Sequence, residues 1–231
     1  MRRPLDPAGT GVPPLRTVAD STVRRMSLYL QFLDERERRG EVTVSSADLA
    51  RCGGASSAQV RKDLSFFGSF GRRGVGYSVP LLAARLREIL GLVRHYRVIL
   101  IGAGRIGSAL AAYPGFRSRG FDVVAVYDAD PARVGKVVDG QEVRSIDRLE
   151  TDLAAVPADI AVIGTPAGAA QAVADRLVRA GVRALLNFAP VALEVPRGVA
   201  VNDVNMAMEL ESLSYALSRG ESRAPRAEAA R

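Results

Sequence analysis

The run Arg97-Val-Ile-Leu-Ile101, followed without a gap by Gly102-Ala103-Gly104-Arg105-Ile106-Gly107, leaves this chain few folds to adopt. A short apolar run that ends in glycine reads as a buried strand, and Ile106, Leu110 and Ala111 then carry helical spacing. A second strand over 122–127 ends in Asp128, which lies 21 residues after Gly107. Strand, glycine turn, helix, strand and terminal acid together are the fingerprint of a dinucleotide-binding βαβ unit. Gly102 makes the turn, Gly104 lets the backbone approach a pyrophosphate, and Gly107 lets helix and strand pack closely. Ala103, Arg105 and Ile106 complete the turn, whose unpaired N–H groups open the helix and favour phosphate. Asp128 would accept from the adenosine ribose hydroxyls and repel a 2′-phosphate, which favours NADH and NAD+ over their phosphorylated counterparts. Arg133, five residues further on, is a cation that runs against that preference.

The alternation continues with a helix over 146–155, a strand over 160–163, a turn at Thr165-Pro166, a helix over 169–180 and a strand over 184–187. Strand and helix alternating at this spacing predict an α/β fold, a Rossmann domain over 97–202 with a doubly wound parallel sheet. Ligands sit at the carboxyl ends of such strands, so Thr165, Pro166, Asn187, Phe188 and Ala189 should line the nicotinamide side. A last helix within 203–218 carries Met206, Leu210, Leu213 and Leu217, and residues 219–231 read as disordered.

Charge divides the chain. Residues 1–97 hold 17 Lys and Arg against 9 Asp and Glu, a net +8, whereas residues 98–231 hold 15 against 16, a net −1. A basic head on a near-neutral body fits a polyanion-binding domain joined to a regulatory one. Arginine accounts for 30 of the 32 basic residues, a genome-wide bias that explains Arg over Lys but not the placement. Residues 1–16, with four prolines, read as a disordered arm. A helix over 18–39 repeats Val23, Met26, Tyr29, Leu30 and Leu33 on one face and stops at Gly40. After an extended piece over 41–44, Ser45 caps a brief helix that Cys52-Gly53-Gly54 ends, and a third helix runs over 56–67.

Short helix, glycine turn and helix is helix-turn-helix spacing. On the third helix Val60, Leu64 and Phe67 form the core stripe. The opposite side presents Ala58, Lys62 and Ser65, flanked by Gln59 and Arg61, with Ser57 at its start, and these are residue types that enter a major groove. Lys62 is the expected base reader, aimed at guanine, and Arg61 the expected phosphate contact. The stretch Phe67–Tyr77 has glycines at 68, 71, 74 and 76 around Arg72 and Arg73, a wing whose tip suits a minor groove or phosphate. The winged-helix domain thus spans 17–79, with a linking helix within 80–96 that packs Leu81, Leu82, Leu86, Ile89 and Leu90.

A single cysteine, Cys52, leaves no disulfide and no cysteine-based metal site, and no apolar run reaches the length of a membrane span. With no signal-peptide pattern at the start, a cytoplasmic protein without membrane or metal is expected. Hydride chemistry would need a substrate domain and a proton-transfer group. Only one helix and a tail follow the Rossmann unit, and His95, the only histidine, precedes its first strand. The cofactor is therefore expected to be a signal and no residue to be catalytic. A small NAD-dependent oxidoreductase with a basic extension, or a Rossmann protein that binds coenzyme A, are the alternative readings.

Four strings carry a resemblance: Val60-Arg-Lys-Asp-Leu64, Phe67–Tyr77 with its Gly-Val-Gly-Tyr ending, Tyr113-Pro-Gly-Phe116 and Leu186-Asn-Phe-Ala-Pro190. From about Thr22 to Leu217 the chain resembles the bacterial redox-sensing repressors of the Rex family. The resemblance implies a homodimer whose C-terminal helix reaches into the partner subunit, and a palindromic operator. It also implies that NADH releases DNA while NAD+ competes without releasing it. It places Tyr113 near the nicotinamide and Arg105 in the glycine loop. Two positions depart from the family pattern: Gln31 stands where many members have an arginine, and Asn205, before Met206, stands where they have an acid. In the family these charges exchange partners across the dimer, so a divergent paralogue with a weak or altered NADH response is a further expectation. Asp203 could replace the acid only through a register shift.

Overall fold

The computed structural model describes residues 18–220 apart from 69, 73 and 74. The expected arm, Arg73 at the wing tip and the tail beyond 220 lie outside the described residues. The chain divides into two compact units that meet in sequence at Val93/Arg94.

The N-terminal unit begins with α1 (Asp20–Arg38), whose buried face is Thr22, Met26, Tyr29, Leu30 and Leu33. Val23, expected on that face, is exposed, and Thr22 one position earlier takes its place. Strand β1 (Thr43–Val44) leads into α2 (Ser46–Gly53), which opens on a reciprocal cap: Asp48 N–H donates to Ser45 Oγ, and Ser45 N–H donates to Asp48 Oδ2. The two glycines that end α2 have separate reasons. A Cβ on Gly53 would overlap the Tyr29 ring, while Gly54 adopts φ 61°, the left-handed cap. Helix α3 (Ser57–Ser65) is capped by Ser56, which accepts from Gln59 N–H. Strands β2 (Gly71–Arg72) and β3 (Gly76–Ser78) form the wing hairpin, and β1 pairs with β3 to give the antiparallel order β1-β3-β2. Helix α4 (Val79–Ile89) buries Val79, Leu82, Ala83 and Leu86 in the same core as α1. It therefore belongs to the body of this unit and is not a free linker, and Leu81, expected to pack, is exposed.

Inside this core sits a charged residue that periodicity placed nowhere. Asp63 of α3 is fully buried and accepts from Arg25 Nε at 2.7 Å, Arg25 Nη2 at 2.8 Å, Gln59 Nε2 at 2.8 Å and Tyr29 Oη at 3.1 Å. Burial pushes its carboxyl up, but these donors outweigh burial and hold it below the usual carboxylate range. The cluster fixes α3 against α1.

The C-terminal unit is built on a seven-stranded sheet. Its strands are β4 (Tyr96–Ile101), β5 (Phe121–Asp128), β6 (Val137–Val138), β7 (Gln141–Ser145), β8 (Ile160–Ile163), β9 (Ala184–Asn187) and β10 (Ala200–Asp203). The spatial order is β10-β9-β8-β4-β5-β7-β6, parallel except for the β6/β7 hairpin at one edge. This is the doubly wound order, and the winding of the strand order reverses between β4 and β8. Helices α5 (Arg105–Ala111) and α6 (Pro114–Arg117) follow β4, a 3-10 turn (Ile146–Arg148) leads into α7 (Leu149–Ala155), and α8 (Ala167–Arg179) joins β8 to β9. The helix expected over 146–155 is thus a tight turn followed by a shorter helix. The β6/β7 hairpin, α6 and β10 had no counterpart in the sequence reading. Helix α9 (Met206–Ser218) ends the described chain and buries none of its side chains within this unit.

Asp63→Ala leaves Arg25 without its carboxylate, and because Arg25 keeps part of its side chain in water the cost falls at the lower end for a broken buried pair, about 3 kcal/mol. Since the folded-state carboxyl titrates below its unfolded value, the wild-type contribution is complete above the unfolded pKa and is lost as pH falls through the folded one. Urea unfolding of the N-terminal unit, followed by circular dichroism between neutral and acid pH, should show this slope in the wild type and lose its Asp63 component in Asp63→Ala.

Candidate nucleotide cradle and DNA-facing surface

The glycine turn occupies the switch point of the sheet, where β4 and β8 end side by side. Gly102 adopts φ 104°, and a Cβ there would lie 2.7 Å from the Gly164 carbonyl oxygen after β8. A Cβ on Gly107 would overlap the Gly102 carbonyl. Both glycines are therefore demanded by backbone contact. Gly104 is different: it lies at φ −70° and a Cβ there meets only the Arg133 side chain. A residue at 104 would fold, but it would fill the space above the turn.

Asp128 ends β5 beside this turn and is 8% exposed. Its Oδ2 accepts from Ala103 N–H at 2.7 Å and its Oδ1 from Asp130 N–H at 2.8 Å, while Arg133 Nη1 stands 3.2 Å from Oδ2. Burial raises the carboxyl's pKa, but the two backbone donors and Arg133 together lower it by more, and the net shift is downward. The acid is thus charged and tied to the turn it serves. Thr165 Oγ1, in the loop after β8, is buried with no hydrogen-bond partner among the described residues. A buried hydroxyl without a partner carries a desolvation cost, and a polar ligand group at the turn would relieve it. Glycine cradle, held acid and waiting hydroxyl together fit a dinucleotide.

The other expected residues divide. Arg105, Ile106 and Pro166 are exposed at the cradle, and Phe188 is half-buried. Asn187 is a correction: it is fully buried, and its amide donates to Val191 O and Asp203 Oδ1, both at 2.8 Å, while its oxygen accepts from Ala189 N–H at 3.0 Å. Its side chain shapes the loop and has no free donor for a ligand; Ala189 is buried with it. Asp203 is in turn pinned on β10, which removes the register shift that could have let it replace Asn205. Asn205 caps α9, accepting from Ala207 N–H at 3.0 Å and Met208 N–H at 3.4 Å, and Met206 beside it is exposed. Tyr113 is 56% exposed, packs edge-on against Phe116 and borders an apolar groove over Val98, Ile160, Val162 and Leu186. Gln31 is exposed on α1.

On α3, Ala58, Arg61, Lys62 and Ser65 are exposed and Ser57 is half-buried. Gln59, expected to face outward, instead donates to Asp63 within the core cluster. Arg61 reaches Ser46 Oγ on α2 at 3.3 Å, which holds its cation at the α2–α3 corner. Arg72 lies on β2 of the wing. Among the described residues no cluster of His, Cys, Asp and Glu could hold a metal ion, and no helix is long and apolar enough to cross a membrane.

A family model described as "CoA binding domain" matches residues 93–191, and one described as "Putative DNA-binding protein N-terminus" matches residues 17–65. Fold and site therefore define a winged-helix protein with a nucleotide-binding Rossmann domain. Over 202 residues the chain is 46% identical to the redox-sensing transcriptional repressor Rex of Carboxydothermus hydrogenoformans, covering 87% of this chain and 97% of that relative. It is 48% identical over 200 residues to Rex of Streptomyces coelicolor, covering 87% and 78%. The chain belongs to the Rex family of redox-sensing transcriptional repressors. Among solved structures, that of RSP bound to β-NAD+ and operator DNA matches with a TM-score of 0.83 at 36% identity over 89% of this chain and 95% of that one. RSP bound to β-NADH matches with a TM-score of 0.81 at 35% identity over 89% and 97%.

Gly107→Ala sets a methyl group against the Gly102 carbonyl. It should destabilise the C-terminal unit by about 1–3 kcal/mol, the range for an overpacked core, measured as a fall in its urea midpoint.

Proposed function

We propose that this chain is a homodimeric DNA-binding repressor that reads the cytoplasmic NADH/NAD+ balance, with NADH on the Rossmann unit releasing a palindromic operator. The observation that carries this reading is that one related chain, RSP, matches across nearly its whole length and was solved with NAD+ and operator DNA, and with NADH. Gly102, Ala103, Gly104, Gly107 and Thr165 would receive the pyrophosphate and neighbouring ribose, Asp128 the adenosine ribose, and Tyr113 the nicotinamide end. When bound, the dinucleotide supplies an oxidation-state signal. Lys62 would read base edges, while Arg61, Arg72, Arg73, Ser57, Ala58 and Ser65 would position α3 and the wing on the duplex.

Dimerisation follows from α9. Met206, Met208, Leu210, Leu213, Tyr215 and Leu217 are all more than half exposed, a run of apolar surface larger than a monomer ordinarily leaves in water. The apolar groove bordered by Tyr113 offers a complementary surface, and α9 of one protomer would cover its partner.

An oxidoreductase is the weaker reading. His95 is exposed, bonds Asp122 Oδ2 at 2.8 Å and precedes β4, so roughly 20 Å of strand separates it from the glycine turn that follows β4. A paralogue with a weak or altered NADH response has more behind it. Gln31 and Asn205 are both neutral, the Asn205 oxygen already caps α9, and neutral amides bond less strongly than an ion pair.

Fluorescence anisotropy with palindromic duplexes tests the reading. Lys62→Ala should lose about 1–3 kcal/mol of discrimination between cognate and mismatched sites. Arg61→Ala should weaken all duplexes alike and reduce the salt slope by about 0.9. A folded dimer that ignores every duplex at low salt would overturn the proposal. Hydride turnover would restore the enzyme reading, and calorimetric preference for coenzyme A over both nicotinamide dinucleotides would replace the ligand. Leu213→Asp should shift the protein from dimer to monomer in light scattering.

A further inference from the structure

Asp63 is a buried charge that touches neither the nucleotide cradle nor the exposed face of α3, yet it lies directly behind that face. Within α3 only Val60, Asp63 and Leu64 are buried. Val60 and Leu64 are four residues apart and so form one line along the helix. Apolar contact is non-directional, and a helix resting on a single line can roll about it. Asp63 stands roughly 60–100° round the helix from that line, at 3.6 residues per turn. There Arg25 Nε and Nη2 grip its two oxygens at 2.7 and 2.8 Å, and Tyr29 Oη donates at 3.1 Å. Both partners belong to α1, so each bond is a strut between two helices that resists roll. Arg25 is itself braced, because its Nη2 also donates to Thr22 Oγ1 at 3.0 Å.

Stability does not call for this arrangement. A buried ion pair is often matched or bettered by apolar side chains of similar volume, because both charges must shed water. The exposed side of α3 supplies a reason. Lys62, the expected base reader, directly precedes Asp63 and is exposed. Its ammonium is a compact charge with three donors on a flexible four-carbon stem. Such a side chain cannot choose a base by its own shape, so its selectivity depends on where the backbone holds it. At the outer radius of a helix, about 5–6 Å, a roll of about 10° is a displacement of about 1 Å. That is enough to break a hydrogen bond of about 2.9 Å or to hand it to a neighbouring acceptor.

We infer that Asp63, Arg25 and Tyr29 form a positioning cluster for sequence discrimination: they fix the roll of α3 so that Lys62 meets one base pair, and they add little to the overall grip on DNA. This rests on the DNA-binding reading and adds to it the part of the fold that makes the contact selective.

Two full-length variants that keep the net charge test it. Arg25→Met/Tyr29→Phe/Asp63→Leu removes a cation and an anion together, and Gln59, which then loses Asp63, is only half-buried and can turn to water. Arg25→Lys keeps the charge pair but lacks the planar fork that reaches both oxygens. Fluorescence anisotropy would use a palindromic duplex selected by the wild type from a randomised pool, the same duplex with one base pair changed in each half, and a random-sequence duplex of equal length. Both variants should bind the random duplex within about threefold of the wild type and with the same salt slope, because phosphate contacts and net charge are unchanged. Preference for the selected duplex should fall roughly five- to a hundredfold, the span of one base contact. Beside Lys62→Ala the same changes should have almost no further effect on preference. Wild-type preference in either folded variant would overturn the inference. So would equal losses on selected and random duplexes, or a loss that persists undiminished beside Lys62→Ala. If circular dichroism shows the triple variant unfolded, Arg25→Lys alone decides. A folded wild type that binds no duplex would bring down the DNA-binding reading itself, which is a distinct result.

Discussion

The contact between Gly107 and the Gly102 carbonyl governs what the C-terminal unit can be. It brings α5 down onto the end of β4, and with Gly102 lying against the Gly164 carbonyl it closes the ends of β4 and β8 into a single edge. Ala103 N–H then points at Asp128 and ties the third strand of that edge, β5, to the turn. Three strands with different chain neighbours are joined by two backbone contacts and one carboxylate. The site is therefore set before any ligand arrives, as low-entropy recognition requires.

The N-terminal unit solves a different problem by a different means. Under the proposed function α3 enters a groove, and such a helix must be held rigidly from behind while its front stays solvated. Here the rear support is a buried acid, Asp63, gripped by two positions of α1 and by Gln59 of its own helix. Apolar packing of Val60 and Leu64 fixes depth, and the directional bonds to Arg25 and Tyr29 fix rotation about the helix axis. Rotation decides which of Lys62, Arg61 and Ser65 faces outward, so the buried cluster and the exposed face are two sides of one constraint.

Much of this was legible from residues alone, for reasons that differ by element. Strands β8 and β9 fall where the apolar runs predict them because they lie inside the sheet and are bounded by turn residues. The serine cap of α2 is local and so readable. What escaped reading depends on distant partners. Asp63 looks like a surface charge until Arg25 is brought beside it, 38 residues away in sequence. Asn187 has the composition of a ligand donor, yet Asp203 and Val191 take its amide. Strand β10 and the β6/β7 hairpin are edge elements too short for a periodic signal. Thr22 replaces Val23 in the core because the face is set by the Arg25 and Tyr29 positions and not by hydropathy. At the site itself, glycines and acid were readable from spacing, while the partnerless Thr165 hydroxyl and the position of Arg133 are visible only in three dimensions.

The central claim is that occupancy of the glycine cradle controls the grip of the winged helices on DNA. Its most direct test is anisotropy of a labelled operator complex during NADH titration, run in parallel on the wild type and on Gly104→Val, which fills the cradle without disturbing the backbone contacts at Gly102 and Gly107. The account predicts that NADH releases the wild-type complex, while Gly104→Val binds the operator equally well and holds it at every NADH concentration. Equal release from both proteins, or an operator affinity in the wild type that NADH leaves untouched while calorimetry shows it bound, would contradict it.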